Sequence, residues 1–145
     1  MPSDQFSPRI TIDAFNRLLA ESAPFQKVYG FVTEEIGYGS ARVRLPVGEA
    51  HIRPGGTLSG PAQMALADFA MYAALLGAIG EVPLAVTTSL NINFLNKPRP
   101  GELTARCRLI KLGKRLAVGD VMVYSLGEEA PVSHATATYS IPPRG

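Results

Sequence analysis

The sequence predicts an α+β fold in which an antiparallel β-sheet wraps around one long apolar helix, and two patterns support this prediction. The first is the segment 61–79, in which Gln63 and Asp68 are the only strongly polar residues. A helix that is apolar on nearly every side must be surrounded by protein. The second pattern is a series of four strand-like segments after this helix, with short connections that favour antiparallel neighbours. A sheet curled around the helix satisfies both patterns.

The other elements are predicted from local spacing. Residues 11–21 carry apolar side chains at helical intervals and predict a short amphipathic helix. Residues 40–47 alternate between apolar and polar side chains, which predicts a half-buried strand. Ser59 or Gly60 can cap the long helix, and Pro61 suits its first turn because proline lacks an N–H. The four later strands are predicted at residues 84–95, 102–112, 116–126 and 131–141.

The composition indicates a single domain spanning residues 1–145, with 46% apolar and 18% charged residues. The net charge of +2 does not predict a nucleic-acid partner, and Asp68 argues against a membrane span at 61–79. The single cysteine, Cys107, cannot form an internal disulfide, and residues 1–10 have no apolar stretch typical of a signal peptide. We therefore expect a cytoplasmic protein with no nucleic-acid or membrane partner.

Asp68 is the first candidate for chemistry. Burying an aspartate in an apolar helix costs free energy unless the carboxylate is hydrogen-bonded, so its presence there indicates a bonding partner or a function. A carboxylate can activate water or attack a carbonyl directly. The start of the same helix offers unpaired N–H groups that suit an oxyanion, and Gly60 permits close approach of a substrate. Gly60 and Asp68 are about 12 Å apart along the helix axis. Since one carbonyl cannot contact both groups of one helix, a site that uses both requires at least a dimer.

The segment 53–68 resembles a motif of the hotdog thioesterases, specifically of the phenylacetate-pathway (PaaI-like) branch. That branch has an Asn, a Gly and then His-Gly-Gly leading into a helix that continues to Leu-Ala-Asp. Here residues 66–68 match Leu-Ala-Asp, Gly60 matches the first Gly after the His, and Gly56 matches the upstream Gly. The order of helices and strands also resembles the family along nearly the whole chain.

This resemblance implies a hotdog fold and the hydrolysis of acyl-CoA thioesters. It implies that Asp68 is the general base or nucleophile and that the helix start at Gly60 forms the oxyanion hole. It also implies shared sites at the interface of a homodimer, which in many family members is half of a homotetramer. Three residues differ from the motif: Ser59 replaces the His, Pro61 replaces the second Gly, and Arg53 replaces the Asn.

Six further side chains are candidates for binding the substrate. Ser59 caps the helix or hydrogen-bonds the substrate, and Gln63 contacts the reacting group or packs within the fold. Thr88, on the strand after the helix, is a candidate wall contact. The other three candidates are basic: Arg53, Lys114 and Arg115.

The positive charge within 97–115 attracts CoA phosphates or forms a solvated sheet edge. No cofactor or metal ion is expected, because the sequence has no clustered Cys or His ligands and no nucleotide-binding glycine motif. The acyl group is left open as short, medium-chain or aryl. The residues expected to line its pocket in some combination are Met64, Phe69, Tyr72 and Phe94.

Two other functions remain open at this stage. A hotdog enoyl-CoA hydratase or dehydratase pairs a His with a carboxylate, and His51 with Asp68 is the only candidate pair. The context of His51 does not resemble those enzymes. A non-catalytic acyl-CoA sensor would bind CoA esters without turning them over.

Overall fold

The computed structural model describes residues 6–22 and 28–143. Two α-helices, six strands and one short 3-10 helix make up this part of the chain. In order they are α1 (Ile12–Ser22), β1 (Val32–Gly37), β2 (Ser40–Leu45), the 3-10 helix (Glu49–His51), α2 (Gly60–Ile79), β3 (Val86–Phe94), β4 (Leu103–Leu112), β5 (Leu116–Ser125) and β6 (Pro131–Ser140).

The six strands form one sheet in the order β1-β2-β4-β5-β6-β3, and every neighbouring pair is antiparallel. Helix α2 contacts all six strands, so the sheet curls around it. The predicted antiparallel sheet around a long apolar helix is therefore confirmed. The strand that follows the helix, β3, lies at one edge of the sheet, and β1 lies at the other.

Helix α2 is held close to the sheet by small residues. It is long and apolar enough to cross a membrane. However, 72% of its most apolar 18-residue stretch is buried within the fold, which identifies it as the core helix. Near its end, a methyl group on Gly77 would overlap the carbonyl oxygen of Gly37 at the end of β1. The helix ends where Gly80 adopts a positive φ of 83° and donates its N–H to the carbonyl of Leu76.

Strand β1 was not specified by the sequence pattern, because a β-bulge interrupts its alternation. The register against β2 shifts between Thr33 and Glu35. Glu34 and Glu35 are consequently both exposed, whereas Thr33 is buried. A bulge of this kind removes the period of two on which strand prediction depends.

Candidate active site

Asp68 lies on α2, half-buried, with one of its carboxylate oxygens held by two hydroxyl groups. The Thr87 hydroxyl donates to Asp68 Oδ1 over 2.6 Å. The Tyr139 hydroxyl donates to the same oxygen over 3.0 Å and to the main-chain carbonyl of Asp68 over 3.3 Å. Among the described residues no group bonds the second oxygen, Oδ2, so Asp68 has one tethered oxygen and one available oxygen.

Asp68 lines a cavity of about 380 Å³ whose walls are rich in aromatic residues. The ring of Phe31 stacks on Phe69 with centroids 4.4 Å apart, and Tyr29 stacks on Phe31 at 5.2 Å. On another side the rings of Tyr72 and Tyr139 lie 6.1 Å apart. The walls suit an apolar group bound next to a carboxylate. We call this space the aromatic cavity.

The start of α2 presents a single unpaired N–H group. Ser59 is the N-cap, and its hydroxyl accepts from the Ala62 N–H over 3.3 Å. The Gln63 N–H donates to the Ser59 carbonyl over 3.0 Å, and Pro61 has no N–H to donate. Within the described part of the chain, the Gly60 N–H is therefore the one donor of this turn left for a ligand.

Gly60 borders a second cavity, also of about 380 Å³, which we call the helix-start cavity. Arg53, Gln63 and Lys97 share its lining with Phe94. A Cβ on Gly60 would lie 3.4 Å from the Phe94 ring, so Gly60 packs against the last residue of β3. Asp68 instead contacts Thr87 at the start of β3, so the two groups are associated with opposite ends of this edge strand.

Three of the predicted binding residues lie at the helix-start cavity or next to it. Ser59 acts as a cap, and Arg53 is an exposed lining residue. Gln63 is buried at 4% exposure, and its Oε1 has no described partner. Gln63 therefore brings a polar side chain to the same cavity as Gly60.

The other three predicted binding residues lie away from both groups. Thr88 is exposed and donates to the Thr138 carbonyl over 3.3 Å, so it is Thr87, not Thr88, that contacts Asp68. The reason is a bulge between Thr87 and Ser89, which shifts the alternation of β3. Lys114 and Arg115 line a separate cavity beside the last residues of α2, Ala78 and Ile79.

Other titratable residues are less suited to the chemistry. His51 is buried and stacks on Tyr29 at 4.7 Å, but it is not among the described residues that line the aromatic cavity with Asp68. The His51–Asp68 pair of a hydratase is therefore not assembled within the described part of this chain. Burial raises the pKa of the Cys107 thiol to about 12, with a smaller contribution from the negative charge of Asp120. Because the thiol keeps its proton, Cys107 is an unreactive residue of the core.

Tyr139 was missed by sequence reasoning. It lies 71 residues beyond Asp68, and only the pairing of β6 with β3 brings it to the helix. Its one local signal is its place among the inward-facing residues of β6, which suggests packing.

Known proteins resemble this chain in sequence and in fold. The model of the thioesterase superfamily matches residues 55–132. The chain belongs to the thioesterase superfamily. A protein of Saccharolobus solfataricus described as a candidate esterase is 31% identical over 125 residues, which cover 86% of this chain and 81% of that protein.

Solved structures extend the agreement to the whole fold. A candidate thioesterase from a Silicibacter species is 44% identical, with a TM-score of 0.86 and 96% coverage of each chain. The phenylacetic acid degradation protein PaaI from Thermus thermophilus, solved as a point mutant, is 28% identical, with a TM-score of 0.71, and the match covers 82% of this chain and 99% of that one. The fold is therefore the hotdog fold of a PaaI-like thioesterase, and the protein is a hydrolase that acts on thioester bonds.

Proposed function

We propose that this thioesterase hydrolyses acyl-CoA esters at a site shared by two chains. Asp68 of one chain is the general base or nucleophile, and the Gly60 N–H of the other chain binds the oxyanion. The observation that carries the proposal is the half-buried Asp68 carboxylate, with one oxygen tethered and the other available, beside a cavity of aromatic residues.

The position of β3 supports a shared site. As an edge strand it has backbone groups free to pair with a second copy. If two copies pair antiparallel about a two-fold axis at Leu90, Phe94 of one chain lies opposite Val86 of its partner. This pairing brings the Gly60 end of one chain to the Asp68 end of the other. Val86 and Phe94 are 56% and 53% exposed within one chain, and such a dimer would cover them.

In this dimer each of the two cavities binds a different part of the substrate. The aromatic cavity receives the acyl group, and its volume of about 380 Å³ admits short, medium-chain or aryl groups. The helix-start cavity is bordered by the cations Arg53 and Lys97, which would attract the CoA phosphates. Lys114 and Arg115, next to the last turn of α2, would be less well placed for this role.

The proposed reaction uses these groups and water. The Gly60 N–H stabilises the negative charge that develops on the thioester oxygen. Asp68 Oδ2 either takes a proton from an attacking water or attacks the carbonyl itself, forming an anhydride that water then cleaves. In both routes the C–S bond breaks, CoA leaves as the thiol after protonation, and the acyl group leaves as a carboxylic acid.

Thiol release from a panel of short, medium-chain and aryl acyl-CoA esters tests the proposal. We expect turnover on at least one class of ester, and a loss of about 10² or more in kcat for Asp68→Asn, which keeps the size of the side chain. Asp13→Asn, an exposed site on α1, is the control and should behave as wild type. Ester binding without turnover in the wild type would instead identify a sensor.

A further inference from the structure

We propose that Tyr139 is a positioning residue that determines which oxygen of the Asp68 carboxylate reacts. This inference rests on the proposed catalytic role of Asp68. It concerns a residue 71 positions away in the sequence that contacts the carboxylate but is separate from the two groups proposed to act on the thioester.

The hydrogen bonds around Asp68 are unequal for its two oxygens. Oδ1 accepts from the Tyr139 hydroxyl at 3.0 Å and from the Thr87 hydroxyl at 2.6 Å. No described group donates to Oδ2. A hydrogen bond withdraws electron density from the oxygen that accepts it, so Oδ1 is the poorer base and nucleophile. The reactive oxygen is therefore Oδ2.

Tyr139 also fixes the orientation of this carboxylate relative to the helix. Its hydroxyl lies 3.3 Å from the main-chain carbonyl of Asp68 as well as 3.0 Å from Oδ1. A half-turn of the carboxylate would exchange the two oxygens but would first have to break the bonds from both Tyr139 and Thr87. The side chain is consequently held with Oδ2 in one place, and such pre-orientation lowers the cost of reaching the reactive geometry.

Two properties make Tyr139 a dependable donor. It is only 3% exposed on the inner face of β6, so its ring has little freedom to move. Burial, and then the neighbouring Asp68 carboxylate, raise the pKa of the Tyr139 phenol above its ordinary value, so the hydroxyl keeps its proton at any working pH.

The chain offers a matched control for this role. Tyr124 lies on β5, is half-buried, and borders a separate cavity that shares no described lining residue with the aromatic cavity or the helix-start cavity. No described hydrogen bond joins Tyr124 to Asp68. Tyr139→Phe and Tyr124→Phe therefore remove the same atom from two strands of the same sheet, but only the first releases the carboxylate.

Steady-state kinetics of these two variants test the proposal. We expect Tyr139→Phe to lower kcat by about 10-fold or more, the scale of one hydrogen bond to a charged group, while KM changes by less than about twofold. Tyr124→Phe should keep kcat within about twofold of wild type. Equal effects of the two substitutions, or an effect of Tyr139→Phe on KM alone, would overturn the proposal.

A second pair of variants keeps the test valid if Tyr139→Phe folds poorly. Thr87→Val removes the other donor to Oδ1 and should also lower kcat, whereas Thr88→Val removes a hydroxyl that bonds only the Thr138 carbonyl and should not. Adding Tyr139→Phe to Asp68→Ala should cause no further loss. Full activity of Asp68→Ala would overturn the proposed function together with this inference, whereas loss in Asp68→Ala with none in Tyr139→Phe and Thr87→Val would overturn the inference alone.

Discussion

The two cavities along α2 are similar in size and opposite in character. Each has a volume of about 380 Å³. The helix-start cavity has an unpaired N–H and two cations, Arg53 and Lys97, but no carboxylate among its described lining residues. The aromatic cavity has a carboxylate, but its described lining contains no cationic side chain and no helix start. Each cavity therefore lacks what the other provides, and neither alone holds both groups that the proposed mechanism uses.

The largest expected effect is on kcat, in variants that each remove one of the two groups of the proposed shared site. Asp68→Ala removes the carboxylate, and Gly60→Pro removes the donor N–H. Ser59, with φ −72° and ψ 163°, already has the conformation preferred before proline, so the residue that precedes this proline needs no change of backbone. Each variant alone should lose about 10² in kcat or more.

Mixed dimers of the two variants should recover activity. With random pairing, half of the dimers are mixed and one of their two sites is intact, which predicts about one quarter of wild-type activity. Co-expression of differently tagged chains, followed by purification and rate measurement, provides the check. A mixture no more active than its components would place both groups in one chain.

The next-largest effect is expected on the free energy of unfolding, which should differ between substitutions at the two ends of α2. Gly77→Ala places a methyl group against the Gly37 carbonyl and should lower the free energy of unfolding by about 1–3 kcal/mol. Gly60→Ala meets only the edge of the Phe94 ring at 3.4 Å and should leave stability nearly unchanged while it obstructs the helix-start cavity. Chemical denaturation and kcat/KM measured on both variants would separate packing from function. The contrast fails if Gly60→Ala is the less stable of the two.

The preference for one acyl group over another is expected to depend on the aromatic cavity alone. Ala65→Leu adds three carbon atoms to its wall and should lower kcat/KM for the larger esters about 10-fold relative to acetyl-CoA. Ala130→Leu, the same change in an exposed turn, is the control. An unchanged order of preference in a panel of esters would mean that the acyl group binds elsewhere.

The smallest effect is expected from the surface cations. Arg53→Gln with Lys97→Gln should raise KM for CoA esters about threefold and leave KM for a pantetheine thioester, which lacks the nucleotide, unchanged. The matched pair Lys114→Gln with Arg115→Gln should leave both values near wild type. The reverse result would assign the phosphate contacts to Lys114 and Arg115.

The sequence specified the core of this fold because burial follows from local composition. The all-apolar segment predicted at 61–79 is the helix Gly60–Ile79, and the strand predicted at 84–95 is Val86–Phe94. Both predictions depend only on the period and polarity of neighbouring residues. They succeed because most residues of α2 are buried and the helix contacts all six strands.

The details of the site were less predictable, for two physical reasons. The register of β3 shifts between Thr87 and Ser89, and it is Thr87 that bonds Asp68, whereas the sequence had offered Thr88 as the wall contact. Tyr139 contacts Asp68 only through the strand order of the sheet, which no local pattern records. The sequence leaves Ser59 open between cap and ligand; the structure confirms the cap through the bond from the Ala62 N–H, and the contact with substrate stays a prediction.

Pro61 has a consequence for how this enzyme could change over evolutionary time. Because Pro61 lacks an N–H and the Ser59 hydroxyl bonds the Ala62 N–H, the Gly60 N–H is the one backbone donor of the described first turn left for an oxyanion, and no other backbone N–H of that turn could replace it. Glycine at position 61 would restore a second donor without altering the carboxylate or the cavities. In the proposed mechanism the catalytic rate is thus limited in part by a residue that makes no hydrogen bond through its own nitrogen.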